Sequence, residues 1–227
     1  MTETFTDNKG ASTLNVIIVL DRSGSMDCIR QSTVDAFNAF VDKQRKEPGV
    51  ETTRFSLYIF SDIVQRLWDN VPIGQVTDLT PSNYHPHGQT ALLDAIAAAV
   101  NETGQRLQQG EVLVIVLTDG EENHSRIFNF LMVRDLIQRK IEENWEFIWL
   151  GSSEHSREYA LGLGIPAENI DLFEVTDVGI SDSSDRISDS VSRKRRFHST
   201  SGWKGEPVTP VAPVPTPAPG KKHTKKP

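Results

Sequence analysis

From Leu14 to Leu20 the chain reads LNVIIVL, with apolar residues at both odd and even positions from Val16 to Leu20. No polar face is left, which is the pattern of a strand covered on both sides, as in a parallel sheet between helices. Val112 to Leu117 is a second such run. Elsewhere the period is that of a helix: Ile29, Phe37, Phe40 and Val41 share a face over Met26 to Lys46, a segment closed by Pro48-Gly49. Arg54 to Phe60 predicts a strand, and Ser61-Asp62 is too short to hold a crossover helix before Val64 to Trp68. Those two strands are therefore expected to pair antiparallel as an edge hairpin. Asn70 to Gly88, rich in Pro, Asn, His and Gly, reads as loop. Further helices are predicted over Ala91 to Leu107, Ile127 to Glu143 and His155 to Leu163, and strands over Trp145 to Leu150 and Asp171 to Val175. Ile180, Ile187 and Val191 predict a closing helix from Ser181 to Arg196, against the low helix propensity of its serines. Strands alternating with helices define an α/β domain with a doubly wound, mostly parallel sheet and one antiparallel edge strand.

Composition narrows the class. A chain of 227 residues with 37% hydrophobic positions suits one domain with appendages. The division expected is a flexible N-terminus over 1–13, the domain over 14–196 and a disordered, Pro-rich basic tail over 197–227. The first residues carry no basic leader pattern, and no run approaches the roughly 18 apolar residues of a span, so no membrane role is expected. One cysteine, Cys28, excludes an internal disulfide and a zinc site built on several thiolates, and fits a reducing, cytoplasmic setting. The formal charge of −7 hides a division. From Arg193 onward nine Lys/Arg face Glu206 alone, a balance of +8 that leaves −15 on the rest.

The first buried strand ends in Asp21-Arg22-Ser23-Gly24-Ser25, three oxygen side chains at alternate positions in a loop eased by Gly24. Ligands of open α/β sheets bind beyond the carboxyl ends of the strands, which is where this loop falls. Two further oxygen groups fall at equivalent places: Thr90, at the start of a helix after the long loop, and Asp119, at the end of the second buried strand. Two carboxylates and three hydroxyls, with no sulfur or imidazole needed, make a hard oxygen site suited to Mg²⁺ or another small divalent ion.

The contexts VLDRSGSM, GQTALLDAI and VLTDGEEN occur in that order, and the pattern resembles the von Willebrand factor A domain family with its metal-ion-dependent adhesion site. The family motif is D-x-S-x-S, then a threonine, then an aspartate, and it falls here on Asp21, Ser23, Ser25, Thr90 and Asp119. The likeness covers Leu14 to Arg196 and fades after Gly151. It implies that the hydroxyls contact a Mg²⁺ or Mn²⁺ ion directly or through exchange with water, while the aspartates act partly through bridging waters. It also implies one coordination position left for an Asp or Glu of a protein partner. The function so implied is adhesion, without catalysis. The family also occurs beside AAA+ ATPases in chelatase-like and metal-resistance systems, so a subunit of such a machine is the alternative.

Other readings of the same residues stand beside this one. Ser23 and Ser25 also suit a helix cap. Asp27 and Asp94 fit helix ends or hydrogen bonds better than the ion, and Cys28 reads as a small packed residue. His85 and His87 form an H-x-H pair with no third soft ligand, so they are expected to shape the loop above the ion. Glu121 and Glu122 extend an acidic rim. A phosphatase of the haloacid dehalogenase type would carry a second aspartate where Ser23 stands, and no phosphate-loop G-x-x-x-x-G-K-[ST] is present. In the tail, PVTPVAPVPTPAP from Pro207 to Pro219 favours a polyproline II spacer of roughly 40 Å. The basic clusters on either side of it serve solubility and helix capping, or weak contact with a polyanion, an acidic partner or the chain's own acidic domain.

Overall fold

The computed structural model describes residues 13–107 and 110–200. Among these, six strands form one sheet: β1 (Leu14–Asp21), β2 (Thr53–Phe60), β3 (Val64–Pro72), β4 (Glu111–Leu117), β5 (Glu146–Gly151) and β6 (Ile170–Leu172). Their order across the sheet is β3-β2-β1-β4-β5-β6. All neighbours are parallel except β2 and β3, which form the antiparallel edge pair expected from the short turn between them. From β1 the chain winds outward through β2 to β3, then crosses back to place β4 on the other flank of β1. The carboxyl ends of β1 and β4 therefore flank the point where the winding reverses, the place where such sheets leave a crevice.

Both faces of the sheet are covered, which is why its central strands carry no polar alternation. Val16, Ile18, Leu20, Leu113, Ile115 and Leu117 pack on one side with Phe37, Phe40, Ile180 and Ile187, from helices α1 (Arg30–Lys46) and α5 (Asp177–Thr200). On the other side Ile17, Val19, Val114, Val116 and Trp149 meet α2 (Leu92–Arg106), α3 (Phe130–Glu142) and α4 (Glu154–Gly162).

Several element bounds differ from the sequence expectation, each for a local reason. The predicted first helix begins as a 3-10 turn over Gly24–Ile29, opened by a bond from Met26 N–H to the Ser23 carbonyl, before α1 proper. β3 runs four residues further than expected. It does so irregularly, with Asn70 at φ 52° and its N–H given to Ser56 Oγ. α3 starts at Phe130 because the N–H groups of Arg126, Ile127 and Phe128 are all held by Asp94, and Asn129 then caps Met132 N–H. α5 starts at Asp177, where Thr176 Oγ1 accepts the Gly179 N–H. Several of its serines are used: Ser183 bonds back to the Gly179 carbonyl, Ser184 bonds the Ala36 carbonyl of α1, and Ser192 Oγ accepts from Gln44. The expected domain end at Arg196 falls inside α5, which continues to Thr200. The expected N-terminal segment through residue 12 and the tail from residue 201 lie outside the described residues.

Candidate metal centre

β1 delivers Asp21 to the crevice as a fully buried carboxylate. Its Oδ1 accepts the Ser23 N–H at 2.6 Å and its Oδ2 accepts the Thr118 hydroxyl at 2.6 Å. Ser23 and Ser25 lie with their Oγ atoms 3.0 Å apart, and Ser25 Oγ donates to Asp119 Oδ1 at 2.6 Å. Thr90 enters from the start of α2. A Cβ built on Gly120 would stand 3.2 Å from Thr90 Oγ1, 3.5 Å from Ser25 Oγ and 3.6 Å from Asp21 Oδ2. One point beside Gly120 is therefore ringed by oxygens of three of the five predicted residues, and hydrogen bonds tie the remaining two, Ser23 and Asp119, to Ser25. The structure brings all five together.

The electrostatics follow from this enclosure. Burial pushes the Asp21 carboxyl up to about 6, against the opposing hydrogen bonds from Thr118 and Ser23, with the Asp119 charge adding a smaller upward push. Asp119 is also raised, chiefly by burial, with the Ser25 bond opposing. Two carboxylates that resist ionisation, beside three neutral hydroxyls around a small gap, form a donor set that a hard divalent cation would satisfy.

The loops are fixed by residues outside the motif. Tyr84, fully buried, donates its hydroxyl to the Asp21 carbonyl at 2.7 Å and pins the long loop across the end of β1. Gly24 N–H bonds the Gly88 carbonyl, and His87 N–H bonds the Arg22 carbonyl. Gly88 has φ +75° and stands against Asp62, whose Oδ2 would be 1.9 Å from an added Cβ, so both conformation and space require glycine there. The loop after β4 clamps the start of α2. Asn123 Oδ1 accepts Thr90 N–H, and the Thr90 carbonyl accepts the N–H groups of Asn123 and His124. Glu122 accepts from Leu93 N–H, His124 N–H, Ser125 N–H and the Ser125 hydroxyl.

Several sequence readings change as a result. Glu122 is a part-buried organiser of the loop instead of a rim charge, whereas Glu121 stays exposed. Asp94 serves hydrogen bonds, as expected. Cys28 is exposed and not packed as expected: it lies in the 3-10 turn, whose buried residues are Met26 and Ile29, and its thiol donates to the Ser25 carbonyl at 3.3 Å. His85 and His87 lie exposed on the long loop with ring centres 6.2 Å apart. Among the described residues no group of three or more His, Cys, Asp or Glu is placed to hold a metal, so the soft-ligand reading of that pair gains nothing. Thr118, Tyr84 and Asn123 were not picked out by sequence reasoning, and Glu122 was picked out only as a rim charge. Only Thr118 carried a signal, as the neighbour of Asp119.

Residues 15–185 match the von Willebrand factor type A domain, and the chain belongs to that family. No curated protein sequence matches it. Among solved structures, the pilus adhesin SpaC of Lactobacillus rhamnosus GG superposes with a TM-score of 0.68 at 10% identity, over 81% of this chain and 30% of that one. This chain thus spans under a third of SpaC. The vWF domain of the type V pili tip protein Mfa5 from Porphyromonas gingivalis gives 0.66 at 11% identity, over 87% of this chain and 99% of that one. Proximal thread matrix protein 1 from the mussel byssus, with a zinc-occupied MIDAS motif, gives 0.54 at 16% identity, over 80% and 46%. At these identities the likeness is one of fold.

Proposed function

We propose that the chain is a non-enzymatic protein-interaction module that holds Mg²⁺ or Mn²⁺ at Asp21, Ser23, Ser25, Thr90 and Asp119 and binds a partner's Asp or Glu there. The observation that carries this reading is the convergence of Asp21, Ser25 and Thr90 oxygens beside Gly120, with Ser23 and Asp119 hydrogen-bonded to Ser25. Thr118 and the Ser23 N–H hold both oxygens of Asp21 in place, and Ser25 orients Asp119. With the aspartates acting partly through bridging waters, the groups that touch a dication directly would be mainly neutral hydroxyls, which leaves it electrophilic. When bound, such an ion supplies an electrophilic centre for one outside carboxylate oxygen. The presence of pilus adhesins among the structural neighbours fits an adhesive role, and the exposed, unpaired Cys28 fits a reducing, cytoplasmic setting.

The test uses Mn²⁺ and water-proton relaxation. Protein-bound Mn²⁺ that keeps an exchangeable water should enhance relaxation, and a blocked peptide with one aspartate should lower that enhancement while its asparagine twin should not. Equal behaviour of the two peptides would contradict the carboxylate reading.

A further inference from the structure

Between α1 and the first turns of α5 lies a surface groove of about 740 Å³. Ala36 and Ala39 line it together with three carboxylates, Asp27, Asp35 and Asp177. Each of the three is exposed, and none has a cationic partner among the described residues. Their bonds are to neutral groups: Gln31 donates to Asp35, and Ser32 to Asp177. The single cation lining the groove, Arg30, turns its Nη2 to the Pro81 carbonyl. Lower on the same helix pair the arrangement differs, for Lys43 bridges Asp185 and Asp189, and Arg45 holds Asp42. Like charges gathered without a counter-charge repel one another and favour a cationic occupant.

The chain carries such an occupant at a matching distance. Lys221, Lys222, Lys225 and Lys226 form a basic segment with no acidic residue among them. α5 runs from the groove at Asp177 to Thr200, 24 residues or about 36 Å. The spacer Pro207 to Pro219, extended as its proline spacing favours, covers about 40 Å. The residues between Thr200 and Lys221 are therefore long enough, if they turn back along the helix, to let Lys221 reach Asp177. Tethering at this length gives an effective concentration on the order of millimolar, enough to populate a weak charge contact.

We propose that Lys221–Lys226 of the same chain lies in the α1/α5 groove, its lysines against Asp27, Asp35 and Asp177. Seated there, it stands beside Asp27, two residues from Ser25, and borders the ion site without touching it. This inference does not depend on the metal.

The sole cysteine supplies the reporter, since Cys28 is exposed and lines the groove. A nitroxide on Cys28 of the full ¹⁵N-labelled chain, without metal, should cut the amide intensities of Lys221–Lys226 by about threefold at low salt. Intensity should return at about 0.5 M NaCl, where exposed charge contacts are screened. It should also return in the triple variant Asp27→Asn, Asp35→Asn, Asp177→Asn, and in a chain with the four lysines changed to Gln, which leaves the domain untouched. A mixture of spin-labelled ¹⁴N chains with unlabelled ¹⁵N chains should show no broadening. Undiminished amides in the labelled chain would overturn the proposal, as would broadening that survives both sets of substitutions. Broadening in the mixture would assign the contact to a second copy and overturn it too. So would equal broadening from a label at Asn101→Cys, on α2 across the sheet, in a Cys28→Ser chain.

Discussion

At Asp21, burial and hydrogen bonding pull in opposite directions, and burial wins. Its carboxyl stands at about 6 in the folded chain, against about 3.9 for an unfolded aspartate. As pH falls, the folded state takes up this proton first. The stabilising contribution of the group is therefore complete below about pH 4 and is lost as pH rises through 6, a cost of about 3 kcal/mol at pH 7 in the metal-free protein. Asp119 shifts in the same direction. Asp21→Asn, which keeps shape and removes charge, should raise the melting temperature of the metal-free protein at pH 7 by several degrees, while abolishing the further rise caused by Mg²⁺. Melting curves of both proteins from pH 4 to 8 check the sign: the advantage of the variant should shrink to nothing toward pH 4. An advantage that grows on acidification would show that the Asp21 shift is misassigned. The motif residues were legible because D-x-S-x-S at the end of a buried strand is a local pattern. Thr118, which holds Asp21 from just past the end of the adjacent strand, 97 residues away, was not, because a threonine at the end of an apolar run looks the same whether or not it faces a carboxylate.

At the scale of elements, the site depends on how the loop after β4 grips the start of α2. Asp94 collects three successive N–H groups, from Arg126, Ile127 and Phe128, with one carboxylate. Hydrogen bonds to a charged acceptor contribute more than neutral ones, and unmet donors carry a desolvation cost. Asp94→Asn should destabilise the fold by about 1–3 kcal/mol, read as a lowered midpoint in urea, and should weaken Mg²⁺ binding by loosening the loop that carries Asp119. An unchanged midpoint would reduce Asp94 to a surface charge. Sequence periodicity found every α-helix and strand described here but set the start of α1 too early, ran β6 three residues too far, to Val175, and misplaced the starts of α3 and α5. Those starts are set by Asp94, Asn129 and Thr176, side chains whose capping role depends on what the fold brings near them. The bulged extension of β3 was illegible for the same reason: the partner of Asn70 N–H is Ser56 on the neighbouring strand.

Across the whole molecule, the winding order explains why one end of the sheet carries the chemistry. β1 and β4 are neighbours only because the chain reverses between them, and that adjacency brings Asp21 to Thr118 and Ser25 to Asp119. The mostly parallel, helix-covered sheet was readable from two apolar strands and the helices between them, whereas its strand order came from the structure. The gap beside Gly120 was not, since it depends on the absence of a side chain at a point defined by three separate loops. The charge division of the chain has a consequence for stability. A chain cut after Gly202 should melt within about 4 °C of the full one, because an exposed charge contact is worth at most about 1 kcal/mol. A large fall would mean that the removed residues bury apolar surface against the domain.

The central claim, that five oxygens converge to hold one divalent ion, is tested most directly by titrating Mg²⁺ and Mn²⁺ calorimetrically into the full chain and into Asp119→Ala and Gly120→Ala. The first variant removes a charged donor. The second puts a methyl at the point ringed by Thr90, Ser25 and Asp21 without changing any donor. One site in the parent chain, with affinity lowered at least about tenfold in each variant, a loss of about 1.4 kcal/mol, is the predicted result. Parent-like binding in both variants would contradict the account and place any bound ion elsewhere.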